Sequence, residues 1–156
     1  MPIEVQIADP RLPEAAALVG ALDQFLFDRC GAVYTPGVAV ARLAQQDTVF
    51  LLARLDGRAA GCIALEVDGE AGEVKCVYVD PTSRGSGLGA ALLVQIEAVA
   101  RQLKLRVIRL ETNRLLVEAL GLYKSSGMTP CAPFGRYVAG PSNLYLEKRL
   151  TRRAAA

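Results

Sequence analysis

The spacing of apolar positions changes several times along the chain, and each change marks an element. Residues 3–7 alternate weakly, with Ile3, Val5 and Ile7 set against Glu4 and Gln6, the two-residue period of a strand. Asp9-Pro10 reads as an N-cap followed by a proline at the first helical position. Leu12, Ala15, Ala16, Val19, Leu22 and Leu26 then form a helical stripe that stops at Cys30-Gly31. Thr35-Pro36 predicts a second helix start, with Val38 and Leu43 as its apolar contacts. Strand patterns at 48–55 and 60–67 flank the hairpin turn Asp56-Gly57, and a third at 73–79 follows the turn at 68–72. Leu88, Ala91, Leu92, Ile96, Val99 and Leu103 mark one face of a long helix, and 105–110 is a strand reached by a helical crossover, hence parallel to the strand before it. Thr112 or Asn113 caps a further helix with the stripe Leu116, Ala119, Leu120 and Tyr123, which stops at Gly127. After prolines at 130, 133 and 141, residues 144–150 close with strand alternation. The order β-αα-βββ-α-β-α-β(β) predicts a mixed α/β (α+β) domain with a twisted, mostly antiparallel sheet of about 6–7 strands and about 4 helices.

The stretch that stands out lies between the third strand and the long helix: Val77-Tyr-Val-Asp-Pro-Thr-Ser-Arg84-Gly85-Ser86-Gly87-Leu88-Gly89-Ala90. Closely spaced glycines let backbone approach a ligand and aim several N–H groups at one place. Those groups lie at a helix start, where amides lack partners and the dipole favours negative charge. Arg84 adds a cation at the edge, so the stretch reads as a phosphate cradle. Gly85-x-Gly87-x-x-Ala90 also fits the dinucleotide fingerprint, with Glu111 where a ribose-binding acid would fall. Context counts against that reading: Asp80 to Arg84 separate strand from glycines, three strands precede the unit, and too little chain follows Glu111 for the remaining half-fold. No Lys-Ser/Thr follows the glycines, which excludes a Walker A loop.

Composition narrows the chemistry. The chain has 156 residues, 52% hydrophobic and 22% charged, which fits one domain over 1–150 with a solvated basic and alanine tail at 151–156. A net charge of +2 gives no reason to expect nucleic acid. No apolar run approaches membrane-span length, and Glu4, Asp9 and Arg11 stand where a signal peptide would be apolar, so a cytoplasmic protein with no membrane partner is expected. Cys30, Cys62, Cys76 and Cys131 are scattered and histidine is absent, so neither a zinc site nor any histidine-activated nucleophile is expected. Catalysis must rest on carboxylates, Tyr, Lys, Cys or backbone.

Arg84-x-x-Gly87-x-Gly89 resembles motif A of the GNAT superfamily of N-acetyltransferases, and Glu73-Val-Lys-Cys-Val-Tyr-Val-Asp-Pro81 resembles the strand that feeds it. Ala119-Leu-Gly-Leu-Tyr123-Lys-Ser-Ser-Gly127-Met resembles the family's second landmark, and the element order matches over nearly the whole chain. Two departures are visible. Leu116 stands where many relatives carry a cofactor-contacting Asn, and Met128 replaces an aromatic. Asn113 lies near the first of these but reads more simply as a helix cap.

The resemblance implies acetyl-CoA as cofactor. Arg84 and Ser86, with amides around Gly85, Gly87, Leu88, Gly89 and Ala90, would hold its pyrophosphate. Backbone of Val77, Tyr78 and Val79 would pair with its pantetheine arm and polarise the thioester carbonyl. It further implies direct transfer of acetyl to an amine in a ternary complex, without an acetyl-enzyme. Tyr123 would be the general acid near the sulfur, with core packing as its plain alternative. Glu73 would be the general base, placed by strand alternation on the face of Val77 and Val79, with Glu111 as second candidate. Cys76 would then point to the opposite face, away from the chemistry.

The acceptor is read from 28–35 and 133–143, where Tyr34, Phe134, Arg136 and Tyr137 would line a small amphipathic pocket. Arg136 would favour an acceptor bearing a carboxylate. The leading expectation is transfer to a primary amine of a small molecule. A protein lysine or N-terminal acetyltransferase and a non-catalytic acyl-CoA-binding module are the alternatives, and a homodimer is left open.

Overall fold

The computed structural model describes residues 2–150, so the expected tail lies outside the described residues. The elements run β1 (Ile3–Ile7), α1 (Pro13–Cys30), α2 (Val38–Leu43), β2 (Thr48–Leu55), β3 (Arg58–Asp68), β4 (Ala71–Val79), a 3₁₀ turn (Pro81–Ser83), α3 (Leu88–Gln102), β5 (Val107–Asn113), α4 (Val117–Ser125), β6 (Thr129–Pro130) and β7 (Asn143–Arg149). They build one sheet of 7 strands in the order β1-β2-β3-β4-β5-β7-β6. Every neighbouring pair is antiparallel except β4 and β5, which the α3 crossover makes parallel. This is the mixed, mostly antiparallel α/β architecture expected from the apolar spacing.

Strand alternation divides the apolar residues between two cores. On one face Leu51, Ile63, Leu65, Val74, Ile108, Leu110 and Leu146 pack with Leu88, Leu92 and Ile96 of α3. These three α3 side chains are almost wholly enclosed, and each contributes about 1.5–3 kcal/mol by leaving water. On the other face Phe50, Leu52, Cys62, Ala64 and Tyr78 pack under Ala15, Leu18 and Val19 of α1 and Leu43 of α2. Both layers centre on β2–β4. Toward β5 and β7 the α1/α2 side of the sheet carries polar residues instead, and the candidate site lies there.

Several local expectations need correction. The proline at the start of α1 is Pro13, not Pro10, and Leu12 is the N-cap residue. Asp9 caps a preceding turn instead, accepting from the Arg11 amide at 2.9 Å and pairing with its guanidinium. α2 begins two residues after Pro36, behind Gly37. Neither Thr112 nor Asn113 caps α4, whose N-cap position is Leu116. The strand runs on through both residues, and Asn113 Oδ1 accepts from the Leu115 amide at 2.9 Å to make the turn. Among the described residues no helix is long and apolar enough to cross a membrane.

Candidate active site

β4 and β5 pair only briefly, Ala71 to Glu73 against Val107 to Arg109. Beyond that point β4 stays with β3 as far as Val79 opposite Gly61, while β5 follows β7 as far as Asn113 opposite Asn143. The sheet therefore splits into a V, and the β5-facing edge of residues 77–79 is left without a strand partner. A cleft of about 510 Å³ fills this region. Val77, Tyr78 and Val79 form one wall, Leu116 to Ala119 and Leu122 another, Phe25 and Arg29 of α1 a third, and the start of α3 its end.

That end is the glycine stretch. Gly85 and Gly87 hold φ of 79° and 87°, a left-handed backbone that only glycine adopts without strain, and Gly87 is the N-cap residue of α3. Among the described residues, no turn, cap or side chain takes up the amides of Gly85, Ser86, Gly87, Leu88, Gly89 or Ala90. Consecutive free donors at a helix N-terminus fit a pyrophosphate. The approach from β4 is pinned by Arg58, which bonds Asp80 at 2.7 Å and Ser83 Oγ at 2.8 Å. This guanidinium holds the Asp80 carboxyl below its usual range. Arg84 touches three walls: its Nε donates to the Val79 carbonyl at 3.3 Å, it stacks on Phe25 at 5.3 Å, and it lies 3.9 Å from Glu118. Ser86 turns aside to donate to the Ser83 carbonyl and is not a cleft-lining residue.

Carboxylates gather at the apex of the V, on the α1/α2 face. Here the expected placement of Glu73 is corrected. β4 carries one extra residue, since Cys62 pairs with Tyr78 while Ala64 pairs with Lys75, and Cys76 takes a φ of 58°. This bulge reverses the alternation. Glu73, opposite Glu66, therefore shares a face with Lys75 and Tyr78, whereas Val77 and Val79 pack toward α3. Cys76 also lies on the Glu73 side, against the core under α1 and α2, and not on the opposite face. Glu73 accepts from the Tyr137 hydroxyl at 2.5 Å and stands 3.9 Å from Lys75 Nζ. Glu111, two residues beyond Arg109 on β5, faces the same space. Burial, and then repulsion from Glu73, raise its pKa, while Lys75 pulls the other way. Phe134, Tyr137 and Tyr145 stack mutually at 5.3–5.9 Å to wall the cluster.

The Acetyltransferase (GNAT) family pattern matches residues 21–128. The chain belongs to that family. It is 38% identical over 135 residues, 85% of this chain and 88% of the relative, to an IAA acetyltransferase of Azospirillum brasilense. A Klebsiella pneumoniae structure described as a candidate acyl-CoA N-acyltransferase superposes with a TM-score of 0.81 at 32% identity, covering 96% of this chain and 98% of the other. PaiA N-acetyltransferase from Thermoplasma acidophilum, solved in complex with coenzyme A, has a TM-score of 0.71 at 17% identity, covering 96% and 100%, a likeness of fold. The protein is thus a GNAT acetyltransferase, and acetyl-CoA is the donor of this family. The free amides at the start of α3 and the unpaired β4 edge could take the diphosphate and the amide-bearing arm of such a donor.

Other expected residues of this acetyltransferase are placed less uniformly. Tyr123 lies in the core on the α3 side of the sheet, next to cleft-lining Leu122 but not itself a lining residue. Burial raises its pKa, and its hydroxyl has no partner among the described residues. Tyr34 bonds Gln24 at 2.8 Å and stacks on Phe27, with no contact to the acid cluster. Arg136 is exposed, and its neighbour Tyr137 makes the contact to Glu73 instead. Sequence reasoning missed Phe25 and Arg29, which resemble any other helix residues until α1 is packed on the cleft. It also missed Arg109, although a visible signal existed: Arg109, Glu111 and Asn113 alternate with buried residues in a strand flanked on both sides.

Proposed function

We propose that this GNAT enzyme transfers acetyl from acetyl-CoA to a primary amine of a small molecule, by direct attack within a ternary complex. The observation that carries the reading is the V between β4 and β5, with free amides at one end and paired carboxylates at its apex. Val79 lies six residues beyond Glu73 on β4, a span of roughly 20 Å at 3.3 Å per residue. That length suits a long cofactor arm reaching from cradle to acids. When bound, acetyl-CoA supplies an acetyl thioester.

The chain's own residues would do the rest. Amides of Gly85, Gly87, Leu88, Gly89 and Ala90 bind the diphosphate, with Arg84 beside them, and the unpaired backbone at 77–79 orients the arm. The Glu73–Glu111 pair holds the acceptor's ammonium and takes its proton, Glu111 being the better proton acceptor because its pKa is raised. Tyr123, whose raised pKa keeps it protonated, offers a proton at the departing sulfur. Lys75, Tyr137 and the aromatic wall fix the position of Glu73. The acids are recessed, with the Glu73 side chain only 20% exposed, which favours a small acceptor over a residue on a folded protein surface.

The test is thiol release from acetyl-CoA in a panel of small primary amines, run beside peptides carrying a free N-terminus or an internal lysine. Turnover confined to small amines is expected. Turnover only with peptides would assign the site to protein acetylation, and tight acetyl-CoA binding without any turnover would mean a binding module.

A further inference from the structure

The acid cluster contains a cation that no carboxylate answers among the described residues. Arg109 lies on the same sheet face as Glu73 and Glu111, directly opposite Glu73 on β4 and Glu147 on β7. It forms no ion pair with either among the described residues, because Glu73 is engaged by Tyr137 and Lys75 and Glu147 lies toward Arg149. Its guanidinium stacks on the Phe134 ring at 4.7 Å, and its Nε is enclosed without any hydrogen-bond partner. A half-buried guanidinium is costly to leave unanswered, and its fork of donors matches a carboxylate.

We infer that Arg109 is the acceptor's carboxylate anchor, so that the enzyme's substrate class is an amine that also carries a carboxylate. This rests on the acetyl-transfer reading above and names its acceptor. Arg109 and Glu111 are two residues apart on one strand, about 6.6 Å along it. One small zwitterion can therefore set its ammonium between Glu73 and Glu111 and its carboxylate on Arg109. The surrounding acids, Glu66, Glu73, Glu111 and Glu147, outnumber Lys75 and Arg109, which disfavours an acceptor lacking the cationic amine. Phe134, positioned by Tyr137 and Tyr145, holds the guanidinium plane in place. The role expected of the exposed Arg136 thus falls to a residue inside the site.

The test compares each proteinogenic amino acid with its own methyl ester at saturating acetyl-CoA. Wild type and Arg109→Gln are used, with melting temperature and acetyl-CoA affinity measured alongside. The free acids should be preferred by wild type, and the acid-to-ester ratio of kcat/KM should fall roughly 10- to 100-fold in the variant, mainly through KM. Arg109→Lys should restore part of the ratio. Equal use of acids and esters by wild type, or an equal loss on both in Arg109→Gln, would overturn the inference, the latter marking a packing role against Phe134. If acetyl-CoA binds but no amine is acetylated, the proposed reaction fails and the anchor is judged by calorimetry on CoA-loaded protein. Amino-acid binding that exceeds ester binding and vanishes in Arg109→Gln keeps it, and indifference to the carboxylate removes it.

Discussion

Glu73 and Glu111 stand on neighbouring strands of one sheet face, and the charge of Glu73 bears on Glu111. Burial and the charge of Glu73 raise the Glu111 pKa above 4.5, so the folded state holds that proton more tightly than the unfolded chain. Its contribution to stability therefore falls as pH rises from the ordinary carboxylate range through the raised value. Catalysis has the opposite sense, because a base works only when deprotonated. We predict that kcat rises with pH along a limb set by Glu111. Glu111→Gln should abolish that limb and lower kcat roughly 10²-fold. Glu73→Gln should shift the limb down in pH by removing the repulsion. A limb that survives Glu111→Gln would give the base role to Glu73. Tyr123→Phe removes one buried hydroxyl and little volume, and the proposed acid role predicts a kcat loss of roughly 10²-fold with acetyl-CoA affinity unchanged. Steady-state rates and calorimetry check both halves, and unchanged turnover would leave Tyr123 a core residue.

At the scale of elements, the site depends on how closely α3 is held over the sheet. A Cβ on Gly61 would lie 2.9 Å from the Tyr78 carbonyl oxygen and 2.9 Å from Leu88 Cδ2. Backbone cannot yield as a side-chain tip can, so Gly61→Ala should destabilise by about 1–3 kcal/mol. The denaturation midpoint should drop with the slope unchanged. An unaltered midpoint would show that β3 and β4 move apart freely. The elements themselves were largely legible. β1 and β2 have the bounds that alternation predicts, and the parallel β4–β5 pair follows from the helical crossover. The bulge at Cys76 was not legible, because no glycine marks it and a left-handed cysteine leaves the apolar spacing intact. One unseen residue of slippage was enough to put Glu73 on the wrong face in the sequence reading.

Over the whole molecule, one sheet serves as both scaffold and site. Its β2–β4 half is buried on both sides, and its β4–β5 junction opens because the two strands have different partners beyond Glu73. The glycine turn at the start of α3 was legible in the sequence because a left-handed backbone there demands a local glycine pattern. The acid cluster was legible only in part: Glu73, Glu111 and Tyr137 stood out singly, but they and Arg109 come from three separate segments that only the fold assembles. Whether the start of α3 holds the donor's diphosphate, as we propose, is decided by calorimetric titration of acetyl-CoA into wild type and Ala90→Glu. Ala90 lines the cleft in the first turn of α3, at an ordinary helical position. A glutamate there suits the helix dipole, so the melting temperature should hold or rise. Its charge opposes the diphosphate, and binding should weaken by roughly 100-fold or more, a coupling of the size measured for close charge pairs. Undiminished binding by a folded Ala90→Glu protein would place the diphosphate elsewhere.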